Sequence, residues 1–210
     1  MTRVIAGKAG GRRLAVPGGM STRPTSDRAR EGLFATVLSE AGPLDGERVL
    51  DLYAGSGAVG LEALSRGARH VLMVESDPRA VAVIKANIAA VKLPGATVTP
   101  GRVERVLARP PATEGGSEGG YGLVFADPPY AVSDAEVTRV LGMLAQGWLA
   151  DGALVVVERA SRSGAVAWPP GFLPGKSRRY GEATFWYGWY GRGAAVGEAP
   201  DTVPQAAHEE

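Results

Sequence analysis

Two spacings of apolar residues alternate along the chain, and their alternation outlines a layered α/β domain. From Arg48 onward, short apolar runs of strand length are separated by stretches whose apolar positions recur at helical spacing. Val49 to Tyr53, Val71 to Glu75, Ala96 to Thr99, Leu123 to Ala126 and Leu154 to Glu158 read as strands. Between them, Ala58 to Arg66 predicts a helix closed by Gly67. Asp77 caps a second helix that has Pro78 at its first position and runs to about Val91. Val103 to Leu107 predicts a short helix and Asp134 to Gln146 a longer one. Apolar strands separated by helices imply a parallel sheet covered on both faces.

The two ends of the chain follow other patterns. Val4 to Val16 alternates poorly and is broken by Gly7, Gly10 and Gly11, which predicts a hairpin. After an extended Thr22-Arg23-Pro24, Ser26 or Asp27 caps a helix with apolar positions Ala29, Leu33, Phe34, Val37 and Leu38, ended by Gly42-Pro43. Toward the other end, Arg178 to Tyr180 and Thr184 to Tyr190, divided by Gly181, predict an antiparallel hairpin at the sheet edge. At strand alternation its aromatics Phe185, Trp186, Tyr187, Trp189 and Tyr190 read as packing rather than base-stacking residues. The low-complexity piece Pro110 to Gly120 reads as a surface loop. The organisation expected is a basic hairpin or arm over residues 1–25, the main domain over 26–190 and a disordered tail over 191–210.

Composition narrows the chemistry. With 210 residues and 45% hydrophobic content, one globular domain is expected. No cysteine is present, and the two histidines are His70 and His208, so no thiolate or histidine-rich metal site is expected. No apolar run suits a membrane span, which makes a soluble, cytoplasmic protein the default expectation. The net charge of +1 hides a polarity: Arg3, Lys8, Arg12, Arg13, Arg23, Arg28 and Arg30 precede Glu31 with only Asp27 opposing them, whereas the tail is acidic. Such an arm suits a polyanion, and equally suits a solvated hairpin with scattered arginines.

Asp51-Leu-Tyr-Ala-Gly55-Ser-Gly57-Ala-Val-Gly60 follows the first strand of the sheet and opens a helix. Gly55, Gly57 and Gly60 spell the G-x-G-x-x-G of dinucleotide sites, and Glu75 ends the next strand near ribose-binding spacing. A pyrophosphate needs a helix N-terminus free of nearby anions, and Asp51 stands there. A donor carrying an ammonium and a sulfonium, S-adenosylmethionine, suits that carboxylate better, and Glu75 can accept hydrogen bonds from both ribose hydroxyls. A structural acid at Asp51 and a capping partner at Glu75 are the plainer alternatives.

Downstream, the apolar strand ending at Ala126 runs into Asp127-Pro128-Pro129-Tyr130. The prolines fix φ and carry no amide hydrogen, which frees the preceding carbonyls to project. An exocyclic amine is a planar nitrogen with two N–H donors. An Asp127 oxygen and the Pro128 carbonyl can accept both, aim the lone pair at a methyl group and offset developing positive charge. Tyr130 offers a stacking face. A tight turn with a packed tyrosine is the competing interpretation.

These motifs resemble those of class I amino-methyltransferases. Thr22-Arg-Pro-Thr-Ser-Asp-Arg-Ala-Arg-Glu-Gly-Leu-Phe34 and Gly55-Ser-Gly-Ala-Val-Gly-Leu-Glu-Ala-Leu-Ser-Arg-Gly-Ala68 narrow the resemblance to the RsmD family, bacterial enzymes that methylate N2 of a guanine in small-subunit ribosomal RNA. The similarity runs from about Arg3 to Tyr190. It implies a Rossmann-like class I methyltransferase sheet with an antiparallel C-terminal hairpin and an N-terminal β-hairpin extension. It also implies that Asp51, Tyr53, Gly55 and Gly57 hold the methionine end of S-adenosylmethionine, that Glu75 and Ser76 flank its ribose, and that Arg102 and Val103 flank its adenine. Asp77 is nearby, with helix capping as its expected role. Asp127, Pro128 and Tyr130 would hold the flipped guanine. Arg3, Lys8, Arg12, Arg13, Arg23 and Arg28 would contact 16S ribosomal RNA or the small ribosomal subunit, although Arg28 and Glu31 have the spacing to pair on one helix face. No metal is expected, and a monomer is. Adenine N6 or a protein glutamine remains the alternative target, because Asp-Pro-Pro-Tyr serves amino-methyltransferases generally.

Overall fold

The computed structural model describes residues 2–18, 26–109 and 119–191. Arg23 and the extended segment around it, most of the loop from Pro110 to Gly120, and the tail beyond Gly191 lie outside the described residues.

A seven-stranded sheet forms the middle layer. Its strands are β3 (Arg48–Leu52), β4 (His70–Glu75), β5 (Ala96–Pro100), β6 (Tyr121–Ala126), β7 (Leu149–Ala160), β8 (Phe172–Tyr180) and β9 (Ala183–Tyr190), in the order β5-β4-β3-β6-β7-β9-β8. The first five in that order run parallel, and β9 returns antiparallel to β7. The chain leaves β3 for β4 on one side, and β6 occupies the other side. The carboxyl ends of β3 and β6 therefore flank the point where strand order reverses, where open α/β sheets bind ligands.

Alternation along the strands sorts side chains to two faces. Val49, Val71, Met73, Leu123, Phe125, Leu154, Val156, Phe185 and Tyr187 share one core with α1 (Asp27–Ala41), α2 (Ala58–Ser65) and α3 (Pro78–Val91). Leu50, Leu52, Val74, Val124, Ala126, Val155 and Val157 share the other with α4 (Val103–Leu107) and α5 (Asp134–Leu144). The period-two placement is what a sheet covered on both faces requires. The aromatics of β9 follow it, with Phe185 and Tyr187 buried as packing residues.

Helix ends match local chemistry. Asp77 accepts the Arg79 amide at 2.9 Å at the start of α3, and Pro78 follows. Ser133 and Glu136 form a reciprocal capping box at the start of α5, which ends two residues before the expected Gln146.

Two strands are longer than their apolar runs predict. β7 begins at Leu149 and ends at Ala160, because a register irregularity opposite Tyr121–Leu123 carries it past the polar Asp151-Gly152. β8 begins at Phe172, six residues before the expected Arg178, and is exposed along most of its length. Its Pro174-Gly175-Lys176 segment lacks apolar alternation, and an edge strand tolerates a proline there.

Among the described residues the N-terminal hairpin pairs Thr2–Arg3 (β1) with Arg13–Leu14 (β2), Val4 bonds across to Gly11 and Arg12, and turns fill the rest of the interval. Val4, Ala9 and Leu14 are buried in the same core as α1 and α2. The Ile5 and Ala6 amides donate to Glu62 at 2.6 and 3.1 Å, the Ala9 amide to Ser65 at 2.9 Å, and the Ala15 amide to Asn87 at 2.8 Å. This basic segment is thus docked along α2 and α3. Among the described residues no helix is long and apolar enough to cross a membrane.

Candidate active site

A cleft of about 280 Å³ opens at the carboxyl ends of β3, β4, β6 and β7. Asp51, Tyr53, Gly55, Ser56, Glu75 and Ser76 line one side, Asp127, Pro128, Pro129 and Tyr130 the other. Both motifs read from the sequence therefore meet in one space.

Asp51 sits on the α2 face of β3, only 2% exposed, and its Oδ2 accepts the Gly60 amide at 2.9 Å. Burial pushes its carboxyl up to about 7; the Gly60 bond works against that and the nearby Glu75 charge adds to it. The acid is thus a structural acceptor for the loop, held in surroundings that disfavour its charged form. Glu75 ends β4. One carboxylate oxygen accepts the Gly55 amide at 2.8 Å, and the other accepts the Ser76 and Asp77 amides at 2.6 and 2.8 Å. Gly57 has φ +75°, and a Cβ there would lie 2.8 Å from the Met73 sulfur, so only glycine lets the loop turn into α2.

Tyr53 is a non-glycine residue with φ +61°, a conformation that costs about 1–2 kcal/mol. The strain sets its ring between the main cleft and a smaller hollow of about 160 Å³, bounded also by Ser76, Gly101, Arg102, Val103 and Glu104. Arg102 is largely exposed with its guanidinium 3.9 Å from Glu104, while Val103 is buried against the second core. Glu104, which the sequence did not single out, puts an acid beside that hollow.

Asp127 follows β6, and its amide reaches the Leu52 carbonyl at 3.4 Å. Its carboxyl is raised well above the ordinary range, chiefly by desolvation and then by the charges of Glu158 and Asp51, with Arg159 opposing. Pro128 is buried. Tyr130 is 61% exposed at the cleft rim, open to a planar partner.

Arg30 lines the cleft and is fully buried. It donates to Asp27 Oδ1 at 2.9 Å, to the Thr2 hydroxyl at 3.1 Å and to the Arg3 carbonyl, and its Nε lies 4.0 Å from Glu62. It clamps the N-terminal hairpin to α1 and α2, and Val16 and Pro17 of that segment form part of the cleft wall. Its role reaches beyond helix 1, and the sequence pattern around Arg28 does not reveal it.

The other basic residues are dispersed. Arg12 donates to the Ala90 carbonyl at 2.9 Å, at the C-terminal end of α3, where a cation is favourable. Arg3 lies 3.8 Å from Asp27, and Lys8, Arg13 and Arg28 are exposed. These residues do not line the cleft; Arg23 is outside the described residues.

The buried acids Asp51 and Glu75 and the loop amides line the β3–β4 side of the cleft, and the Arg30 guanidinium in the lining is already committed to Asp27, Thr2 and the Arg3 carbonyl. Such a lining favours a ligand bringing positive charge and hydroxyl donors over one bringing phosphates.

The comparisons with known proteins agree with this architecture. The chain is 34% identical over 186 residues to the Ribosomal RNA small subunit methyltransferase D of Escherichia coli (strain K12), covering 87% of each protein. It is 42% identical over 130 residues to the Putative rRNA methyltransferase YlbH of Bacillus subtilis (strain 168), covering 61% of this chain and 66% of that protein. Among solved structures, the putative methyltransferase yhhF from Escherichia coli superposes with a TM-score of 0.75 at 30% identity, covering 90% of this chain and 97% of that one. The family model described as Conserved hypothetical protein 95 matches residues 2–189, nearly the whole described fold. The chain belongs to that family, the one that contains the small-subunit ribosomal RNA methyltransferases D.

Proposed function

We propose that this protein transfers a methyl group from S-adenosylmethionine to the exocyclic N2 of a guanine in 16S ribosomal RNA of the small ribosomal subunit. The observation that carries the reading is the meeting of Glu75 and Asp51 with Asp127-Pro128-Pro129-Tyr130 in one cleft. When bound, the donor supplies an electrophilic methyl on a sulfonium.

The chain's own groups do the rest. Asp51 offers a carboxylate to the donor's positive charge, Glu75 an acceptor to its ribose, and Tyr53, Arg102 and Val103 a boundary to its adenine. Glu104, which borders the same hollow, would offer an acceptor to the adenine amine. On the target side, an Asp127 oxygen and the Pro128 carbonyl accept the two amine hydrogens and aim the nitrogen lone pair. As the nitrogen becomes cationic, the ionised Asp127 offsets its charge and relays the proton outward. Tyr130 stacks on the base, with stacking of about 1–3 kcal/mol. The guanine must leave its pair, since N2 lies on the Watson–Crick edge.

RNA as substrate is supported by the relatives' names and by the exposed Lys8, Arg13 and Arg28, with Arg3, Arg12 and Arg23 as further candidates. The protein is proposed to act as a monomer. Small ribosomal subunits from a strain lacking the enzyme, incubated with labelled donor and mapped nucleotide by nucleotide, test the whole reading. Label on a single guanine N2 is expected. Label on an adenine N6, or on a ribosomal protein, overturns it.

A further inference from the structure

The open edge of the sheet carries a basic strip that ends beside the cleft. Residues 160–182 hold Arg162, Lys176, Arg178 and Arg179 against one acid, Glu182. Lys176 is paired with Glu40 of α1, whereas Arg162, Arg178 and Arg179 are exposed and, among the described residues, form no ion pair. Arg179 donates through Nε to the Gly181 carbonyl at 3.1 Å, which holds its stem at the β8–β9 turn and leaves its Nη donors for another partner.

Strand register places the strip. Glu158 of β7 lines the cleft and pairs with Phe185 of β9, and Phe185 pairs in turn with Arg178 of β8. Residues directly opposite one another share a face, so Arg178 continues the row of Glu158 two strands outward, about 10 Å away at a strand spacing of about 4.8 Å. Thr184 and Arg179 continue the row of Arg159 in the same way. The strip therefore lies at the carboxyl end of the parallel strands, where the cleft opens. Arg162 follows β7, and Ser161 fastens that bend to the β8–β9 turn. Its amide donates to the Glu182 carbonyl at 2.7 Å and its hydroxyl to the Gly181 carbonyl at 3.1 Å. α1 brings a fourth cation. Its Glu40 meets Lys176, and a Cβ at its Gly32 would strike the Tyr180 ring, so the helix runs antiparallel to β8. Arg28, exposed and one turn before Gly32 on that helix face, falls at the same end.

Charge on an edge strand also keeps it from pairing with a second sheet. That purpose accounts for Arg178 and Arg179, but not for Arg162 in a bend or Arg28 on a helix. Cations from three elements that converge on one rim suit a phosphate backbone. A base held in the cleft supplies one, because its covalent neighbours on both sides must cross the rim.

We propose that this rim, formed by Arg28, Arg162, Arg178 and Arg179, binds the phosphate backbone of the RNA next to the target nucleotide. The proposal rests on the reading of the cleft as an RNA methyltransferase site.

The test measures KM for small ribosomal subunits from a strain lacking the enzyme, at several salt concentrations. The wild type is compared with the double variant Arg178→Gln, Arg179→Gln. Phosphate contacts make the wild-type KM rise with salt, and losing two of them lowers the slope of log KM against log salt by about 1–2. At low salt KM should rise by about 10-fold or more, with the loss on KM rather than kcat. Arg178→Lys, Arg179→Lys keeps both charges and is expected to restore most of the affinity. A KM and a slope equal to the wild type's overturn the inference. So does a double variant that self-associates on a sizing column while its monomer keeps the wild-type KM, since the charges then guard the strand edge only. If the double variant does not fold, Arg162→Gln, outside the strand, decides, and an unchanged slope overturns the inference. A wild type that transfers no label to the RNA of these subunits overturns the underlying function instead, so the two failures are distinguishable.

Discussion

The Gly60 amide donates to the buried Asp51 carboxylate at 2.9 Å, tying the last glycine of the loop to the strand that launches it. That single bond leaves Asp51 with an ionisation near 7, because one amide does not offset full burial. A cationic donor favours the ionised form, so its binding releases a proton from Asp51 below about pH 7. Affinity for S-adenosylmethionine is expected to rise with pH up to about 7 and level above it, approaching a tenfold change per unit on the acid side. Calorimetric titration at several pH values checks this; Asp51→Asn should bind weakly with a flat profile over that window.

The same group has an opposite effect on stability. Its folded value of about 7 exceeds the model-peptide value of 3.8, so between them the native state holds more protons than the unfolded state. Its contribution is complete below about pH 4, is lost as pH rises to about 7, and is constant above. Urea unfolding of the ligand-free protein should show that decline, and Asp51→Asn should lack it.

Asp127 is proposed to govern transfer rather than donor binding. Asp127→Ala is expected to lower kcat by about 100-fold or more, while calorimetric affinity for the donor changes little. With the ionised form as the one proposed to accept the amine hydrogen, the wild-type rate should rise with pH through a range above that of an ordinary carboxylate. Removing the Glu158 charge in Glu158→Gln should move that limb to lower pH. A pH-independent rate, or Asp127→Ala at wild-type kcat, would falsify the assignment.

Glu75 has three amides pointed at it, and a neutral amide side chain cannot receive them all. Glu75→Gln turns an N–H donor toward another donor, so the Gly55 loop loses a partner. Donor affinity should fall by about 10-fold or more, measured by calorimetry, with kcat at saturating donor less affected.

Arg30 joins three segments through one guanidinium. Arg30→Met keeps the length and removes the charge, which leaves Glu62 with Arg66 at 2.7 Å but frees the N-terminal hairpin. A loss of about 3–5 kcal/mol is expected in urea unfolding. Hydrogen exchange should quicken first at the amides of Ile5, Ala6 and Ala9, which donate to Glu62 and Ser65. If those amides stay as protected as in the wild type, the clamp is not at Arg30.

Legibility in the sequence followed how local each signal was. β3, β4 and β6 are apolar on both faces because helices cover both, so each is a continuous run that ends in an acid or just before one. Asp51, Glu75 and Asp127 stood out for that reason. Glu158 obeys the same rule at the end of β7, but no proline or glycine follows to mark it. β8 was only partly legible, since an edge strand carries Pro174 and polar residues without penalty. Arg30 lies on a helix with Arg28 and Glu31, and nothing within the helix distinguishes it. Its burial depends on residues 2–3 and 62, which only the fold brings together.

The docked N-terminal segment has a consequence for when the protein becomes competent. Val16 and Pro17 wall the cleft, yet the bonds that hold this segment run to Glu62, Ser65 and Asn87, the last pair being 72 residues apart. Long-range contacts of this kind form late, after their loop-closure entropy is met. During synthesis residues 4–17 must wait for α3 before they can settle. Residues 16 and 17 thus take their place in the cleft wall only after α3 is present, and the opposite wall waits longer still, for Asp127 to Tyr130 of the segment after β6.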